Sequence, residues 1–385
     1  MNLDLSRARA ALPGLAGCTY LNVGTYGVPA RPVLDRLVAL TLEAEQFGTP
    51  GYERVAEDLE LARARLAALL GCDAAELAFT ENATHGLNLA LLGPPLQPGD
   101  EVLLGSEEYP ISEYIAHYRS QTQGVRVRYF PIAHDPAQTF ANFQAAFSER
   151  TRLVFASLIT CESATRLPIA AVCAYARDRG ALSAVDLAQA IGTMPIDLHA
   201  LGCDYALGNG HKWLNGPKGV GLFYARRAAL AQLTPPFVSH YAGFDPITRA
   251  VTLPDDHRRF ELVARPYAHY AAMSAALDWL EGFGWAAVWQ HQWALRAYMV
   301  AQVQARPALA LVSPANPDHG GAMVTFRIPG VAPDETIGYT RRMWLEHRVY
   351  LRPSVIAGGI RISAAYFNTA DDVDRLFALI DEQLA

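Results

Sequence analysis

Cysteine is scarce in this sequence, and the few cysteines present are dispersed. The five are Cys18, Cys72, Cys161, Cys173 and Cys203, an odd number without a C-x-x-C pair. Such spacing provides neither a disulfide framework nor a cysteine zinc site. We therefore expect reduced, mostly buried thiols and no metal centre.

An excess of basic charge is also missing. Lys and Arg total 32 against 38 Asp and Glu, the formal net charge is -6, and the basic residues are scattered. Proteins that bind nucleic acids or anionic membranes usually carry clustered basic charge. We therefore expect neither of these partners, and a small-molecule partner is favoured.

Long apolar runs are absent too. No stretch is long enough to span a bilayer, and the first residues, MNLDLSRARAALPGLAG, lack the basic segment and apolar core of a secretory signal. Internal repeats and low-complexity tracts are also missing. Together these absences predict a soluble, cytoplasmic protein.

The sequence does contain enough apolar residues for a large core or two unequal ones. It has 385 residues, of which 51% are hydrophobic. Strand-like runs such as LAFT, DEVLLG, TRLVFASLI, ALSAVD, YALGN and GVGLFYA alternate with helical patterns such as THGLNLALLG and PIAAVCAYARDRG. This alternation predicts an α/β domain with a mostly parallel sheet and helices on both faces.

The pattern changes near residue 260, which predicts a second, smaller unit. One long helical stretch, YAHYAAMSAALDWLEGFGWAAVWQHQWALRAYMVAQVQA, precedes shorter strand and helix patterns, and a T-x-x-D cap begins the last helix at Thr369. We predict a large domain over residues 16–270. The smaller α+β domain comprises residues 271–385 together with residues 1–15.

A carboxylate ends one of the predicted apolar strands. In ALSAVDLAQAIG the strand finishes at Asp186, and Gln189 follows about one helical turn later. Ligands of α/β proteins bind at this edge of the sheet. Because an unpaired buried charge is unfavourable, Asp186 requires a cationic partner, which could be a ligand, a surface arginine or a helix start.

A second strand-to-helix turn, in FTENATHGLNLAL, is suited to binding an anion. The free N–H groups at a helix start and the Thr84 hydroxyl provide donors, although no Walker A sequence is present. An ordinary N-cap role for Thr84 is the alternative.

The glycine-rich segment DYALGNGHKWLNGPKGVGLFY places Lys212 after a third strand. Such a lysine could bind phosphate, pair with a carboxylate or form an imine with an aldehyde. A phosphate site, a carboxylate for a ring nitrogen and this lysine together predict a pyridoxal 5'-phosphate (PLP) site.

These segments closely resemble the class V aminotransferase family, which includes cysteine desulfurases and isopenicillin-N-epimerase-like enzymes. The resemblance depends most on D-x-A-Q followed by G-H-K-W-L-x-G-P-x-G, and extends from YLNVGTYGVPARPV to IRISAAYFNTADDVDRL. It implies the fold-type-I architecture, with a seven-stranded sheet in the large domain. It also implies a homodimer with active sites at the subunit interface.

The resemblance implies a role for each matching residue. Lys212 matches the Schiff-base lysine and Asp186 the partner of the pyridine nitrogen, so these are the expected catalytic residues. The other expected cofactor-binding residues are Gln189 at the ring O3′ oxygen, Tyr109 stacked on the ring, and Ala83, Thr84, Asn209 and His211 around the phosphate.

On the substrate side, Arg361 matches the arginine that binds the α-carboxylate, for which a guanidinium is well shaped. Arg265 matches an arginine of the epimerase-like branch and either contacts substrate or is structural. Asn22, Tyr26 and Arg352 are candidate wall residues of the substrate pocket.

Three segments depart from the family pattern. The loop VYLRPSVIAGGIR lacks the nucleophilic cysteine of cysteine desulfurases, which argues against that activity. Thr160, Cys161 and Glu162 stand where the family asparagine near O3′ falls. Val263 and Ala264 replace a Gly-Thr pair whose threonine reaches the partner subunit's phosphate.

The resemblance therefore predicts a PLP-dependent enzyme that acts on the α-amino group of an amino acid, and a class V aminotransferase is the first expectation. A carbon–sulfur lyase and an amino-acid epimerase of the isopenicillin-N-epimerase-like branch remain open. A PLP-binding protein without catalytic activity is the alternative from another class.

Overall fold

The computed structural model describes residues 3–385 of the chain. In chain order its strands are β1 (Thr19–Tyr20), β2 (Leu77–Thr80), β3 (Glu101–Gly105), β4 (Arg126–Phe130), β5 (Thr151–Ser157), β6 (Leu182–Asp186), β7 (Tyr205–Asn209), β8 (Gly221–Ala225), β9 (Gly243–Phe244), β10 (Val251–Thr252), β11 (Ala310–Leu311), β12 (Met323–Arg327), β13 (Val349–Tyr350), β14 (Arg352–Ser354) and β15 (Gly359–Ser363). The α-helices are α1 (Leu5–Ala10), α2 (Arg31–Gln46), α3 (Thr49–Leu70), α4 (Ala83–Leu92), α5 (Pro110–Gln123), α6 (Pro136–Ala146), α7 (Ile169–Asp178), α8 (Leu198–Leu201), α9 (Arg227–Leu230), α10 (Tyr267–Ala271), α11 (Met273–Glu281), α12 (Trp285–Gln304), α13 (Thr336–His347) and α14 (Ala370–Leu384).

A seven-stranded sheet organises the larger part of the fold, in the order β2-β8-β7-β6-β5-β3-β4. Strands β3 to β7 pair in parallel, whereas β8 is antiparallel to both of its neighbours, β7 and β2. The predicted mostly parallel sheet is confirmed. Its parallel strands bring their carboxyl ends to one edge, where the polar residues that follow them meet.

Helices cover both faces of this sheet because its strands are apolar on both sides. Along β5, Val154 contributes to one buried cluster while its neighbours Leu153 and Phe155 contribute to another. Side chains of successive strand residues point to opposite faces, so one strand supplies two cores. The sheet edge is thereby held rigidly between two helical layers.

A smaller unit is built on the antiparallel sheet β11-β12-β15-β14. Together with α12, α13 and α14 it encloses a third buried cluster. The amino-terminal segment joins it, because β1 pairs in parallel with β13 and Asn22 forms a bridge to Ser363. The division into domains at residues 16–270 and 271–385, with 1–15, remains a prediction.

The predicted single long helical stretch is wrong in one respect, because it forms three helices, α10, α11 and α12. Two glycines separate the last two helices: Gly282 caps α11, and Gly284 precedes α12 with φ 83. This left-handed backbone conformation interrupts the helix, and glycine adopts it without a steric penalty. The predicted cap at Thr369 is confirmed, since its side chain accepts a hydrogen bond from the Asp372 backbone N–H.

Among residues 3–385, no helix combines the length and the apolar character needed to cross a membrane.

Candidate active site

A cavity of about 630 Å³ lies at the carboxyl edge of the large sheet. Ten of the residues predicted from the sequence line it: Tyr26, Ala83, Thr84, Tyr109, Asp186, Gln189, Asn209, His211, Lys212 and Arg352. The strand ends explain this convergence, since β6 finishes at Asp186, β7 finishes at Asn209, and α4 begins soon after β2. Parallel strands bring such residues together even though the sequence separates them.

Lys212 is fixed through its backbone in the turn that follows β7. Its carbonyl oxygen accepts the Asn215 N–H at 2.9 Å, and the carbonyl of His211 accepts the Gly27 N–H at 2.7 Å. A side chain at residue 27 would collide with the Lys212 carbonyl, which explains the glycine there. Burial lowers the pKa of Lys212 to about 8, while nearby Asp186 opposes that shift. The amine is therefore partly unprotonated near neutral pH.

Asp186 is a buried carboxylate that needs a positive partner. Its Oδ1 accepts the Ala188 N–H at 2.7 Å. Burial raises its pKa, and Lys212 acts in the opposite direction. A ligand with a cationic ring nitrogen at this position would keep Asp186 ionised. This requirement fits the pyridine nitrogen of PLP.

The start of α4 forms another part of the wall, beside Asn209 and His211. Asn82 is the N-cap, because its Oδ1 accepts the His85 N–H at 3.0 Å, so Thr84 is not an ordinary cap. Asn209 Oδ1 accepts the Ala83 N–H at 2.9 Å. That contact commits one of the predicted phosphate donors, the Ala83 N–H, to the protein. Asn209 therefore also positions the helix start.

His211 has a buried Nδ1 without a hydrogen-bond partner among the described residues. Burial lowers its pKa to about 4, so the ring is neutral at pH 7. An orphaned buried polar atom is unfavourable unless a ligand or water meets it. Its position beside Lys212 fits a bound polar ligand such as the phosphate of PLP.

Gln189 is anchored at both ends of its amide. Its Oε1 accepts the Trp213 indole N–H at 3.0 Å, and its Nε2 donates to the Gly24 carbonyl at 2.9 Å. One amide hydrogen is left for a further acceptor. This arrangement is compatible with the predicted contact to the cofactor O3′ oxygen, and it gives the fully buried Trp213 a role in orienting Gln189.

Arg361, on β15, lies immediately behind the cavity wall. Its guanidinium donates to the Cys161 carbonyl at 2.7 Å and to the Thr25 hydroxyl at 3.2 Å, and both residues line the cavity. Its Nε is buried and has no hydrogen-bond partner in the part of the chain that the structure describes, and burial lowers the pKa of Arg361 to about 9. The remaining N–H groups need an acceptor, for which a carboxylate is well suited.

Two other predicted substrate residues lie beside Arg361. Asn22 accepts the Thr25 hydroxyl at 2.7 Å and thus positions the residue that Arg361 contacts. Arg352 lines the cavity and is paired with Arg361 across β14 and β15. Its guanidinium is 3.9 Å from the Glu162 carboxylate. This end of the cavity is therefore rich in positive charge.

Arg265 is not brought to the cavity. Its guanidinium donates to Glu261 at 2.8 Å and to the Phe79 carbonyl at 2.7 Å, and Arg63 pairs with the same glutamate at 2.8 Å. All three charged side chains are buried. The structure thus places Arg265 in an ion-pair network under the sheet edge, which is the structural alternative left open by the sequence.

Six cavity residues with functional groups were not among the predicted site residues: Thr25, Glu81, Asn82, Ser157, Cys161 and Lys218. Ser157 could have been found, because it ends β5 as Asp186 ends β6, and the two are direct neighbours in the sheet. Lys218 lies within the quoted glycine-rich motif. Cys161 had been noted in the sequence only as a departure from the family pattern near O3′, and Glu81 carries no comparable signal.

Comparison with known proteins gives consistent matches over nearly the whole chain. The class V aminotransferase family profile matches residues 50–376. Isopenicillin N epimerase of Amycolatopsis lactamdurans is 32% identical over 385 residues, covering 94% of each chain. A probable cysteine desulfurase of Mycobacterium leprae is 28% identical over 408 residues, covering 98% of this chain and 96% of the relative.

Among solved structures, a lysine-to-alanine mutant of C-DES with glycine covalently linked to the PLP cofactor superposes with a TM-score of 0.87. It is 26% identical and covers 97% of this chain and 98% of its own. A second structure of C-DES, described as a cystine C–S lyase in complex with its product cysteine persulfide, has a TM-score of 0.86. It is likewise 26% identical, over 96% of this chain and 98% of that one.

Proposed function

This chain belongs to the class V aminotransferase family and is a PLP-dependent enzyme of fold type I, and from that premise we propose that its cavity transforms an α-amino acid. The single observation that supports the proposal most strongly is the position of Lys212. Of the two lysines that line the cavity, Lys218 donates its Nζ to the Gly27 carbonyl at 2.8 Å, whereas the Lys212 amine has no hydrogen bond or ion pair among residues 3–385 and shares the cavity with Asp186.

When bound, PLP supplies an aldehyde for covalent attachment of an amine and an electron-withdrawing ring that stabilises negative charge at the substrate α-carbon. The residues proposed to hold it are Lys212, Asp186 and Gln189, with Tyr109 at the ring. Thr84 and His211 are proposed to lie at its phosphate.

Arg361 and Lys212 divide the substrate's functional groups between them in this proposal. Arg361 binds the α-carboxylate through its free N–H groups, because a guanidinium fork meets a carboxylate with two parallel hydrogen bonds. Lys212 then lies on the amino-group side, where its unprotonated amine removes the α-proton. A base with a pKa near the working pH is effective in this step, and burial gives Lys212 a pKa of about 8.

Transamination is the outcome that we propose first. A single amine base can take the proton from the substrate and return it at a different atom, so no second acid–base residue is required. In this proposal Asp186 remains ionised and would stabilise a positive charge on the pyridine nitrogen of PLP. That charge is what makes the ring electron-withdrawing. Cysteine desulfurase chemistry is not proposed, because the segment 349–361 contains no cysteine.

Carbon–sulfur lysis is the second candidate, and the similarity to C-DES over 97% of this chain favours it. It begins with the same removal of the α-proton by Lys212. A sulfur substituent would then leave from the β-carbon as a thiol, and hydrolysis by water would release the remaining carbon skeleton as a keto acid and its nitrogen as ammonia, without an amino acceptor. Epimerisation, suggested by the 32% identical relative, shares the first step as well.

The test is a screen of the PLP-loaded enzyme against amino acids in deuterated water. Transamination predicts conversion of the cofactor to its amine form, reversed by adding a keto acid. Release of keto acid and a thiol without the amine form would establish lysis instead. Deuterium incorporation with loss of optical purity, and neither other product, would establish epimerisation. A Lys212→Ala control should be inactive in all three readouts.

We also propose that the protein is a cytoplasmic homodimer. Support for the dimer comes from α2, where Leu34, Val38 and Leu42 are 42%, 58% and 49% exposed and share one face at four-residue spacing. Free thiols at all five cysteines suit a reducing compartment.

Light scattering after size exclusion tests the dimer. Val38→Asp should shift the mass toward a monomer, whereas Leu345→Asp, at an exposed leucine of α13, should not. A wild-type protein that is monomeric at micromolar concentration would contradict the proposal.

A further inference from the structure

Glu108 is a buried carboxyl group that the proposed reaction leaves without a role. It directly precedes Tyr109 and is 1% exposed. Its Oε1 accepts the Ser157 backbone N–H at 3.0 Å, and its Oε2 is 2.5 Å from the Ser157 hydroxyl. Gly105 packs so tightly against Oε1 that any side chain there would collide with it. The two contacts with Ser157 and the close approach of Gly105 therefore restrict the position of the carboxyl group.

The surroundings of Glu108 disfavour a negative charge. Two nearby carboxylates raise the pKa of Glu108 further: Asp186 from the end of β6 and Glu107 from its own turn. Among residues 3–385 it forms no ion pair, and β5 contributes only Ser157 to its hydrogen bonds. Burial raises its pKa to about 8. An isolated buried carboxylate beside two like charges is strongly unfavourable.

Protonation of Glu108 determines which way the Ser157 hydroxyl points. The Ser157 hydroxyl donates to Glu108 Oε2 if the carboxyl group is ionised, but a neutral carboxylic acid has its own O–H donor and would donate to the Ser157 oxygen across the same short contact. The Ser157 oxygen then accepts, so its own hydrogen must be directed elsewhere. Ser157 lines the cavity and lies next to Asp186 across β5 and β6.

We propose that Glu108 is a neutral carboxylic acid that donates to Ser157 and thereby turns the Ser157 hydroxyl into a hydrogen-bond donor directed into the cofactor cavity. Glu108 is thus a positioning residue, and Ser157 is the group that meets a ligand. The assignment of that ligand as PLP rests on the proposed use of the cavity.

The protonation of Glu108 is tested first without any cofactor. Its pKa is raised in the folded protein, so its stabilising contribution is complete at pH below about 4.5 and is lost as the pH rises toward 8. As the pH rises from 5 to 8, the melting temperature of the apo wild type should therefore fall relative to that of apo Glu108→Gln. The control Glu149→Gln, at an exposed glutamate, should keep the wild-type dependence. A constant difference between wild type and Glu108→Gln would overturn the proposal.

Cofactor titration then tests Ser157, with PLP as the probe. Ser157→Ala and Glu108→Ala should each weaken PLP binding about tenfold at pH 7, the typical effect of one lost hydrogen bond to a polar ligand. Ser157→Thr and Glu108→Gln keep the donors and should bind within about threefold of wild type. Above pH 8 the wild type should lose affinity relative to Glu108→Gln, because ionised Glu108 would reclaim the Ser157 hydrogen.

Each part of this inference can be refuted by a result that does not refute the proposed function. Equal PLP affinity of Ser157→Ala and wild type would show that the Ser157 hydroxyl does not donate into the cavity. If wild type bound no PLP at all, the proposed function would fail while the apo-protein result still decided the protonation of Glu108. If Glu108→Gln did not fold, the Ser157→Thr and Ser157→Ala pair would still decide the donor.

Discussion

Arg361 donates a 2.7 Å hydrogen bond to the backbone carbonyl of Cys161, a residue 200 positions earlier in the chain. The cavity wall formed by one part of the chain therefore orients the guanidinium supplied by another. A backbone carbonyl has no side-chain rotamers, so it is a fixed acceptor. The guanidinium of Arg361 is therefore oriented before a substrate binds. Its buried Nε has no hydrogen-bond partner among residues 3–385, which favours the binding of an anionic ligand there.

The first prediction concerns this arginine. Amino acids should react far better than the corresponding amines, and Arg361→Ala should lose that preference. Loss of a charge-assisted bidentate contact at a buried site corresponds to about 2–5 kcal/mol, or roughly a 30- to 5,000-fold fall in kcat/KM. Arg361→Lys should recover little, because an ammonium cannot form the two parallel bonds. If Arg361→Ala discriminated as well as wild type, Arg352 would be the residue that binds the carboxylate.

A second prediction concerns the pH dependence of cofactor attachment to Lys212. Burial holds its pKa at about 8, below the ordinary lysine value, and only the unprotonated amine reacts with an aldehyde. The rate at which apo-protein acquires PLP should therefore rise about tenfold per unit between pH 6 and 7 and level off above 8. Stopped-flow absorbance measures this rate.

Borohydride reduction and peptide mapping provide the matching control. The modified peptide should contain Lys212 in wild type and in Lys218→Arg, and no modification should be found in Lys212→Arg. A rate that kept rising up to pH 10 would contradict the lowered pKa.

The third prediction separates binding from electron withdrawal at Asp186. Asp186→Asn retains the shape and the hydrogen bond to the Ala188 N–H, but it cannot stabilise a cationic ring nitrogen. We expect PLP to remain attached while exchange of the substrate α-proton slows by orders of magnitude. Proton exchange in deuterated water, followed by NMR, measures the effect. If Asp186→Asn exchanged the substrate α-proton at the wild-type rate, Asp186 would have no role in electron withdrawal.

The fourth prediction concerns the buried network of Arg63, Glu261 and Arg265. Glu261→Gln leaves two buried guanidinium groups without their shared carboxylate and should destabilise the protein by about 3–5 kcal/mol. The exposed pair of Arg31 and Asp35 provides the control, since Asp35→Asn should change stability by less than about 1 kcal/mol. Urea denaturation of the apo-protein measures both.

The same network predicts how Arg265 behaves. Arg265→Gln should lower the stability of the apo-protein, while the KM for an amino acid stays within about twofold of wild type. A large rise in KM with unchanged stability would instead support the substrate contact that the sequence left open.

Much of the cofactor side of the site was predictable because it depends on local sequence. Asp186 and Asn209 end apolar strands, and the parallel arrangement of such strands forces their ends together. Periodicity identifies each strand, so the edge of the sheet follows from the sequence. The resemblance to a known family then gave these positions their expected roles.

The remaining features depend on contacts between distant segments, which periodicity does not encode. Nothing near Arg265 in the sequence indicates that Glu261 would be shared with Arg63 under the sheet. The hydrogen bonds between Glu108 and Ser157 join residues 49 positions apart. They were not predicted, because periodicity does not encode contacts between distant segments. The helix break at Gly284 was missed because the surrounding apolar pattern continues across it.

The pairing of the amino-terminal segment with the last strands affects the order in which parts of the chain can fold during synthesis. Thr25 meets Arg361 across 336 positions of sequence, and Asn22 bridges to Ser363. During synthesis, the seven-stranded sheet and Lys212 leave the ribosome well before β15 does, so the cofactor half can fold as a unit first. The region around Arg361, the proposed carboxylate-binding residue, needs both ends of the chain and forms through contacts of very high contact order, which are slow to make. A nascent or truncated chain that ends before residue 359 would therefore contain Lys212, the proposed cofactor-binding lysine, but not Arg361, the proposed carboxylate-binding arginine.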